Sequence, residues 1–205
     1  MTDFIETYDI PTSLCKSLIE DFNYRKGIQR EAALSRGYSY VHSVEMNSAL
    51  INIYEEEIHN IVYKYVHKFN FAKETLYNFQ LSTPYNVQLY APGNYYSVWH
   101  CENNGNPQYR NRHLAFMTYL NTVTNGGGTE FVYQKREIQA RQGLTLVWPA
   151  HFTHTHRGIP SMTDDKYIIT GWLEFLDGEE TTNAWMDGDD TDFYSTLGKN
   201  GKKIF

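Results

Sequence analysis

The chain has 205 residues, a formal net charge of −6 and 41% hydrophobic residues, a composition that predicts one globular domain. The negative charge argues against a broad nucleic-acid-binding surface. The sequence has no run of about 18 apolar residues of the kind that would predict a membrane span. The N-terminus lacks the basic and apolar regions of a signal peptide, and the two cysteines fit no disulfide or zinc-finger pattern, so we expect a cytoplasmic protein.

Residues 1 to about 75 are predicted to form supporting helices. Residues 11–23 begin with a proline and repeat apolar side chains at helical spacing. Residues 47–68 show the pattern more clearly, and their apolar stripe consists of Leu50, Tyr54, Ile58, Ile61 and Tyr65. Both segments are interpreted as helices that pack against the rest of the domain.

From residue 80 onward, short β-rich runs bounded by Gly, Pro and Asn replace the helical pattern. They cover residues 85–90, 114–120, 129–133, 143–148, 152–156 and 166–175. A helical part followed by six or more short strands predicts an α+β fold with a sandwich or barrel core over about 80–176. The sequence Asn-Gly-Gly-Gly at 125–128 predicts a tight turn within that core.

Residues 177–205 form an acidic C-terminal segment that differs from the core. We expect a solvated or partly disordered tail, because like charges repel and apolar residues are few. Trp185, Met186, Phe193 and Tyr194 indicate that part of this tail docks on the domain.

Two groups of metal-ligating residue types lie in the β-rich part. His100 and Glu102 are separated by one residue, so on a strand their side chains would point to the same face. A later predicted strand carries His151, His154 and His156. Two histidines and a carboxylate leave coordination positions open for a cosubstrate and O2, as in non-haem Fe(II) oxygenases. A His-x-Glu pair alone is a weak signal, since surface or core histidines explain it more often.

Five segments occur in an informative order and spacing: VQLYAPGNYYSVWHCE, RHLAFMTYLN, NGGGTEF, GLTLVWPA and HTHRGIPSMTDDKYIITGWLEF. Together they resemble the prolyl 4-hydroxylase-like family of 2-oxoglutarate- and Fe(II)-dependent dioxygenases. The resemblance covers roughly residues 84–176. It implies a double-stranded β-helix (jelly-roll) core, Fe(II), 2-oxoglutarate as cosubstrate and O2, with ascorbate as an optional reductant.

The resemblance also assigns the metal ligands, which are the catalytic residues of the family. His100, Glu102 and His156 match them, although the family usually has Asp at the position of Glu102. His154 is the alternative to His156, because both would share one face of the predicted strand. His156 is favoured because Lys166 follows it at the spacing found in the family.

By the same resemblance, Tyr90, Tyr119, Lys166 and Thr170 match positions that contact 2-oxoglutarate. Lys166 matches the cation that pairs with the distal carboxylate, and a buried cation requires such a partner. Packed core tyrosines and a solvent-exposed strand lysine are the alternative interpretations. Trp172 follows at family spacing and is expected to line the same cavity.

Further side chains near the motifs are candidate substrate contacts or simply rim residues: Tyr95, Tyr96, Trp99, Arg110, Arg112 and Arg157. Residues 103–111 are rich in Asn, Gly and Pro and directly follow Glu102. Such a segment is either a mobile lid over the site or an inert surface loop.

The metal-ligand pattern and the resemblance together imply a 2-oxoglutarate- and Fe(II)-dependent dioxygenase that hydroxylates an unactivated C–H bond, with a prolyl 4-hydroxylase-like peptidyl hydroxylase as the specific expectation. A zinc-dependent barrel enzyme and a non-catalytic ligand-binding jelly-roll are the alternatives. The former would not need Lys166, and the latter would not need an intact metal triad. Substrate identity (peptide, protein or small molecule) and oligomeric state stay open, and neither nucleic acid nor membrane is expected as a partner.

Overall fold

The computed structural model describes residues 2–32, 37–69 and 78–176, so the predicted acidic tail lies outside the described residues. These residues form two α-helices and eleven strands, joined by loops and single 3-10 turns. The helices are α1 (Thr12–Tyr24) and α2 (Ser48–Lys68). The strands are β1 (Glu6–Asp9), β2 (Arg30–Glu31), β3 (Ser39–His42), β4 (Phe79–Leu81), β5 (Asn86–Tyr90), β6 (Arg112–Tyr119), β7 (Thr129–Phe131), β8 (Arg136–Ile138), β9 (Leu144–Pro149), β10 (His156–Gly158) and β11 (Lys166–Phe175).

In the described part of the chain, the strands make two antiparallel sheets. The larger has the order β1-β9-β6-β11-β5-β3-β2 with β4 paired to β11, and the smaller has the order β10-β7-β8. Phe131 and Ile138 of the smaller sheet share one buried cluster with Ala115, Trp148 and Ile168 of the larger sheet. Two antiparallel sheets closed over a common apolar core form the jelly-roll that was predicted.

The helices cover the opposite face of the larger sheet. α2 begins after Asn47, whose side-chain oxygen accepts hydrogen bonds from the backbone N–H groups of Ala49 (3.0 Å) and Leu50 (3.3 Å) and so caps the helix. The buried residues of α1 and α2 form one cluster with sheet residues such as Val87 and Ile169. Both predicted helices are confirmed, with ends within one residue. Neither is long and apolar enough to cross a membrane.

Side chains of β11 alternate between the two faces of the larger sheet. Ile169 and Leu173 join the cluster that contains the helices. Lys166, Thr170 and Trp172 point the other way and line a cavity between the sheets. One strand therefore packs the domain on one face and supplies a polar site on the other.

The glycine turn at 125–128 holds the connection between β10 and β11. Gly126 and Gly127 have φ values of +76° and +74°, which side chains with a Cβ rarely adopt. A Cβ on Gly126 would overlap the carbonyl oxygen of Pro160, to which Gly127 donates a hydrogen bond of 3.2 Å. This turn thereby positions the segment between His156 and Lys166.

Some local predictions were wrong. The N-terminal part is not only helical, since β1, β2 and β3 add to the larger sheet, and strands of two to four residues are too short to show periodicity. Residues 152–156 are not a strand, because Phe152–His154 form a 3-10 turn before β10 begins. His100 and Glu102 do not share a strand either, because His100 forms only an isolated bridge and the chain bends at Glu102.

Candidate active site

His100, Glu102 and His156 converge at one point in the cavity. The Nε2 atoms of His100 and His156 lie 3.4 and 3.5 Å from Oε1 of Glu102. The three ligand-type atoms all lie within 4.8 Å of one another. Atoms that bind one ion at about 2 Å are about 3–4 Å apart, so this spacing fits a single metal ion. Two imidazoles and one carboxylate are the donor set that non-haem Fe(II) takes.

A backbone bridge, not strand alternation, brings these residues together. His100 N–H donates to the carbonyl of His156 (3.0 Å), and His156 N–H donates to the carbonyl of His100 (2.9 Å). The bridge places the two ring centroids 4.3 Å apart. The chain then bends at Glu102, which returns the carboxylate to the same point. The thiol of Cys101 instead donates to the carbonyl of Asn103 (3.4 Å).

Backbone carbonyls fix the orientation of both histidine rings. Nδ1 of His100 lies 2.9 Å from the carbonyl oxygen of Val98, and Nδ1 of His156 lies 2.9 Å from that of His154. Because a carbonyl oxygen can only accept, the proton of each neutral ring belongs on Nδ1. Each Nε2 therefore presents its lone pair to the shared point, as metal-ligating histidines do.

Glu102 is held by contacts on both of its oxygens. Oε2 accepts a hydrogen bond of 2.7 Å from the indole N–H of Trp172 and lies 3.5 Å from Nη1 of Arg112. Burial opposes ionisation of Glu102, but in the metal-free protein hydrogen bonds and charge interactions with His100 and His156, when these rings carry a proton on Nε2, outweigh that effect and hold its pKa well below the usual range. The carboxylate is therefore available as an anionic ligand at neutral pH.

His154, the alternative ligand, lies outside this cluster. Its Nε2 is 2.8 Å from the carbonyl oxygen of Asp3, and its Nδ1 is 3.0 Å from Oγ1 of Thr153. Both ring nitrogens are thus occupied by other partners. Since His154 belongs to a 3-10 turn, the argument that it shares a strand face with His156 does not hold.

A cavity of about 470 Å³ extends from the cluster to Lys166. This lysine is only 5% exposed, and its Nζ lies 4.6 Å from the ring centroid of Tyr90. Within the described residues no carboxylate forms an ion pair with it. Burial lowers the pKa of Lys166 to about 8. A buried cation without a counter-ion is unfavourable, which indicates a site for an anionic ligand.

The position of Lys166 is set by its strand neighbours. The side-chain amide of Asn121 donates to the carbonyl of Asp165 (2.8 Å) and accepts from the N–H of Tyr167 (2.8 Å). These two bonds fix the start of β11 on either side of the lysine. Lys166 is then paired with Tyr90 of β5 across the sheet. The charge therefore has a rigid backbone support.

Tyr90 and Thr170 line the cavity, where their contact with 2-oxoglutarate stays a prediction, whereas Tyr119 does not line it. The hydroxyl of Tyr119 is fully buried, 2.7 Å from Oγ1 of Thr129 and 3.3 Å from the carbonyl oxygen of Ile138. Thr129 itself lines the cavity, so Tyr119 lies one side chain behind the wall. Tyr119 therefore supports Thr129 from behind the cavity wall, and its contact with 2-oxoglutarate stays a prediction.

The six candidate substrate contacts divide into two groups. Tyr96 and Arg112 line the cavity, and the ring centroid of Tyr96 lies 4.2 Å from that of His100. Trp172, which was expected to line the cosubstrate cavity, also lines it. Four others do not line it: Tyr95, Trp99, Arg110 and Arg157. Arg157 instead pairs with Glu130 (3.1 Å) and stacks on Trp99 at 4.3 Å, outside the cavity.

Several cavity residues were not predicted from the sequence, among them His42, Asn86 and Trp148. Within the described residues, the buried polar atoms Asn86 Oδ1 and Trp148 Nε1 of this cavity have no hydrogen-bond partner. Native interiors satisfy nearly all such groups, so these two atoms indicate a site for polar ligands or water. Alternation along β5 from Tyr90 would have identified Asn86.

The loop 103–111 is organised by its own asparagines. Side-chain oxygens of Asn103, Asn104 and Asn106 each accept a hydrogen bond from the backbone N–H two residues later, at 3.0 to 3.2 Å. Asn103 also donates to the carbonyls of Arg110 and Arg112, which closes the loop on itself. Tyr109 from this loop lines the cavity. Closure of the loop as a lid stays a prediction.

Comparison with known proteins agrees with this geometry. Residues 85–174 match the model of the 2OG-Fe(II) oxygenase superfamily. Human prolyl 4-hydroxylase subunit alpha-3 is 28% identical over 85 residues, and the mouse protein matches equally. The human match covers 36% of this chain, which spans only 16% of the length of that relative.

Solved structures share the fold over most of the chain. The viral collagen prolyl hydroxylase of Paramecium bursaria Chlorella virus-1, in complex with 2-oxoglutarate, has a TM-score of 0.68 at 18% identity, covering 84% of this chain and 97% of that one. A Pseudomonas putida prolyl-4-hydroxylase has a TM-score of 0.64 at 15% identity, covering 84% and 92%. Residues 85–174 thus resemble the 2OG-Fe(II) oxygenase superfamily, and the chain shares the fold of the solved prolyl hydroxylases.

Proposed function

We propose that the chain is a 2-oxoglutarate- and Fe(II)-dependent dioxygenase that hydroxylates an unactivated C–H bond in a peptide, with a prolyl residue as the first candidate. One observation carries the proposal: the His-Glu-His cluster faces the same cavity as Lys166, which is buried and has no ion-pair partner among the residues that the structure describes. A dicarboxylate that binds a metal through one end and a lysine through the other would satisfy both. The prolyl hydroxylases among the relatives favour a prolyl peptide.

The residues present fit iron and 2-oxoglutarate. His100 and His156 would supply Nε2 and Glu102 would supply Oε1, which is a 2-His-1-carboxylate set with open positions. Lys166 would pair with the distal carboxylate of 2-oxoglutarate through a charge-assisted hydrogen bond. When bound, iron and 2-oxoglutarate supply the oxidising chemistry, in which O2 and 2-oxoglutarate give succinate, CO2 and the hydroxylated product.

The protein's own part is to bind, orient and shield. The carbonyls of Val98 and His154 hold both imidazoles in the tautomer that presents Nε2. Lys166 orients the cosubstrate from the opposite end of the cavity, and the ring of Tyr90 covers its Nζ. Tyr96, Trp148 and Trp172 line the cavity with aromatic surface, which would limit the access of water to the reacting centre once cosubstrate is bound.

The same residues weigh against the two alternatives. A zinc hydrolase would use the same three ligands, but it would have no need for a buried cation without a counter-ion at the far side of its cavity. A non-catalytic jelly-roll would not need three ligand-type atoms converging on one point with both histidine tautomers preset. Both features are expected of a 2-oxoglutarate oxygenase.

The test is turnover with a defined metal. Purified protein is incubated with Fe(II), 2-oxoglutarate, O2 and ascorbate, with a panel of proline-containing peptides and matched alanine peptides. We expect slow formation of succinate without peptide, and faster formation together with a peptide product that has gained one oxygen by mass spectrometry. His100→Ala is the matched inactive control, because a facial triad that loses one ligand loses its geometry.

Two results would contradict the proposal at different levels. Equal turnover with Zn(II) in place of Fe(II) would refute an oxygenase, since zinc has no redox chemistry. Fe(II)-dependent succinate formation with no oxidised peptide in the panel, but with an oxidised small molecule in a parallel screen, would retain the oxygenase and reject the peptidyl substrate.

A further inference from the structure

The second oxygen of Glu102 has partners of its own. Oε1 faces the two histidines at 3.4 and 3.5 Å, whereas Oε2 accepts the Trp172 indole N–H at 2.7 Å. Nη1 of Arg112 lies 3.5 Å from the same Oε2 and 3.4 Å from the Glu102 carbonyl oxygen. The two oxygens of one carboxylate are thus directed to two different sets of groups.

Arg112 is itself fixed in place. Its guanidinium lies 3.5 Å from the ring centroid of Trp172 and 4.2 Å from that of Tyr109. Its Nε lies 3.6 Å from Oε1 of Glu174 on β11. Stacking on two aromatic faces and a second carboxylate leave the guanidinium little freedom. Trp172 and Arg112 therefore form a rigid support beside Oε2.

Such a support answers a problem that Glu creates at this position. The chain has Glu where the resembling family usually has Asp, and the additional methylene adds a rotatable bond. An unrestrained glutamate can turn its carboxylate or bind a metal through both oxygens, as carboxylates do in other metal sites. Binding through both oxygens would occupy a position that a cosubstrate or O2 needs.

We infer that Trp172 and Arg112 are positioning residues that engage Oε2, so that Glu102 offers only Oε1 to the metal. The inference rests on the proposed function, because it requires a metal at the His-Glu-His cluster. Trp172 and Arg112 thus adapt the site to a ligand that is one methylene longer. With Asp at position 102, the carboxylate would lie one methylene closer to the backbone, so we expect its contact with the indole N–H to be weakened.

The experiment is a double-mutant cycle read by metal binding, with Co(II) as the probe. Four proteins are compared: the wild type, Trp172→Phe, Glu102→Asp and the double variant. Co(II) affinity is measured by titration, and the visible absorption of bound Co(II) reports its coordination number. Trp172→Phe keeps an aromatic surface for Arg112 but removes the N–H donor. Changes in such supporting partners typically lower metal affinity about 10–100-fold.

The expected result is a loss of about 10–100-fold on Trp172→Phe with Glu at 102, and a change of less than about threefold with Asp at 102. Losing the indole N–H leaves the carboxylate less ordered, which lowers affinity, and in the Trp172→Phe protein that does bind Co(II) the released Oε2 should shift the spectrum towards higher coordination. Equal losses in both backgrounds, or no loss in either, would overturn the inference. If Trp172→Phe does not fold, the same double-mutant cycle is run with Arg112→Gln, which removes the weaker contact to Oε2 of Glu102.

Failure of the proposed function would look different. Glu102→Ala is the reference for the metal site itself. If the wild type binds Co(II) no better than Glu102→Ala, there is no metal site at this cluster, and both the proposed function and the inference fall. If the wild type binds Co(II) and Trp172→Phe binds it equally, only the inference falls.

Discussion

Replacing Lys166 with Met should stabilise the ligand-free protein while weakening its binding of 2-oxoglutarate. The lysine is buried, and burial lowers its pKa from 10.5 to about 8. When the lysine is charged, that pKa difference corresponds to about 3 kcal/mol of destabilisation of the folded state, since a shift of one pKa unit is worth about 1.36 kcal/mol. Methionine has a similar length and no charge, so removing this cost should raise the free energy of unfolding by up to about 3 kcal/mol.

The pH dependence gives the sign of the effect. Between about 8 and 10.5 the folded protein has lost the Lys166 proton while the unfolded chain retains it. Because the unfolded state then binds more protons, stability of the wild type rises with pH across this window. Lys166→Met lacks this contribution. The advantage of the variant should therefore be largest below pH 8 and shrink as the pH approaches 10.5.

Affinity for 2-oxoglutarate should change in the opposite direction. A hydrogen bond to a charged group contributes about 1.5–3 kcal/mol, which corresponds to a loss of roughly 10- to 100-fold in affinity. Wild-type affinity should also fall above pH 8, as Lys166 loses its proton. Lys166→Arg retains the charge but needs more room for its planar fork, so it should be impaired less than Lys166→Met.

The assay combines two measurements on the same preparations. Urea denaturation of the ligand-free proteins from pH 7 to 10 gives the free energy of unfolding. Calorimetric titration with 2-oxoglutarate, with Mn(II) replacing iron to prevent turnover, gives the affinity. Mn(II) binding without 2-oxoglutarate should be the same in all variants, because Lys166 is not a proposed ligand. An unchanged 2-oxoglutarate affinity in Lys166→Met would refute the assignment and direct attention to Arg112, the other Lys or Arg among the described cavity-lining residues.

Three further substitutions test individual placements. His154→Ala should retain Co(II) binding that His156→Ala loses, because Nε2 of His154 is occupied by a backbone carbonyl; the reverse pattern would exchange the two assignments. Tyr119→Phe should cost about 1 kcal/mol in urea denaturation, with 2-oxoglutarate affinity nearly unchanged, and a tenfold loss of affinity would restore a direct contact. Gly171→Ala should cost about 1–3 kcal/mol without altering Co(II) affinity, since its Cβ would lie 2.5 Å from Phe116, and a neutral effect would show that the ring can move.

The sequence by itself predicted which residue types form the candidate site better than it predicted how they are arranged in space. His100 and Glu102 are two residues apart in the sequence, and Lys166 follows His156 by ten residues. These separations can be recognised even where the predicted secondary structure around them is wrong. The helices were predictable because 13 and 21 residues give several turns of periodicity. β11 was predicted from Lys166 to Phe175 and is found there, since ten residues carry a clear β-type composition.

Only the tertiary structure decided which of these side chains meet. The backbone bridge between His100 and His156 joins segments that sequence analysis treats separately, and it separates His156 from His154. The contact of Trp172 with Glu102 spans 70 residues of chain, so no local pattern could reveal it. The burial of Lys166 and the placement of Tyr119 behind Thr129 likewise depend on how two sheets close over one cavity, which periodicity along a single strand does not encode.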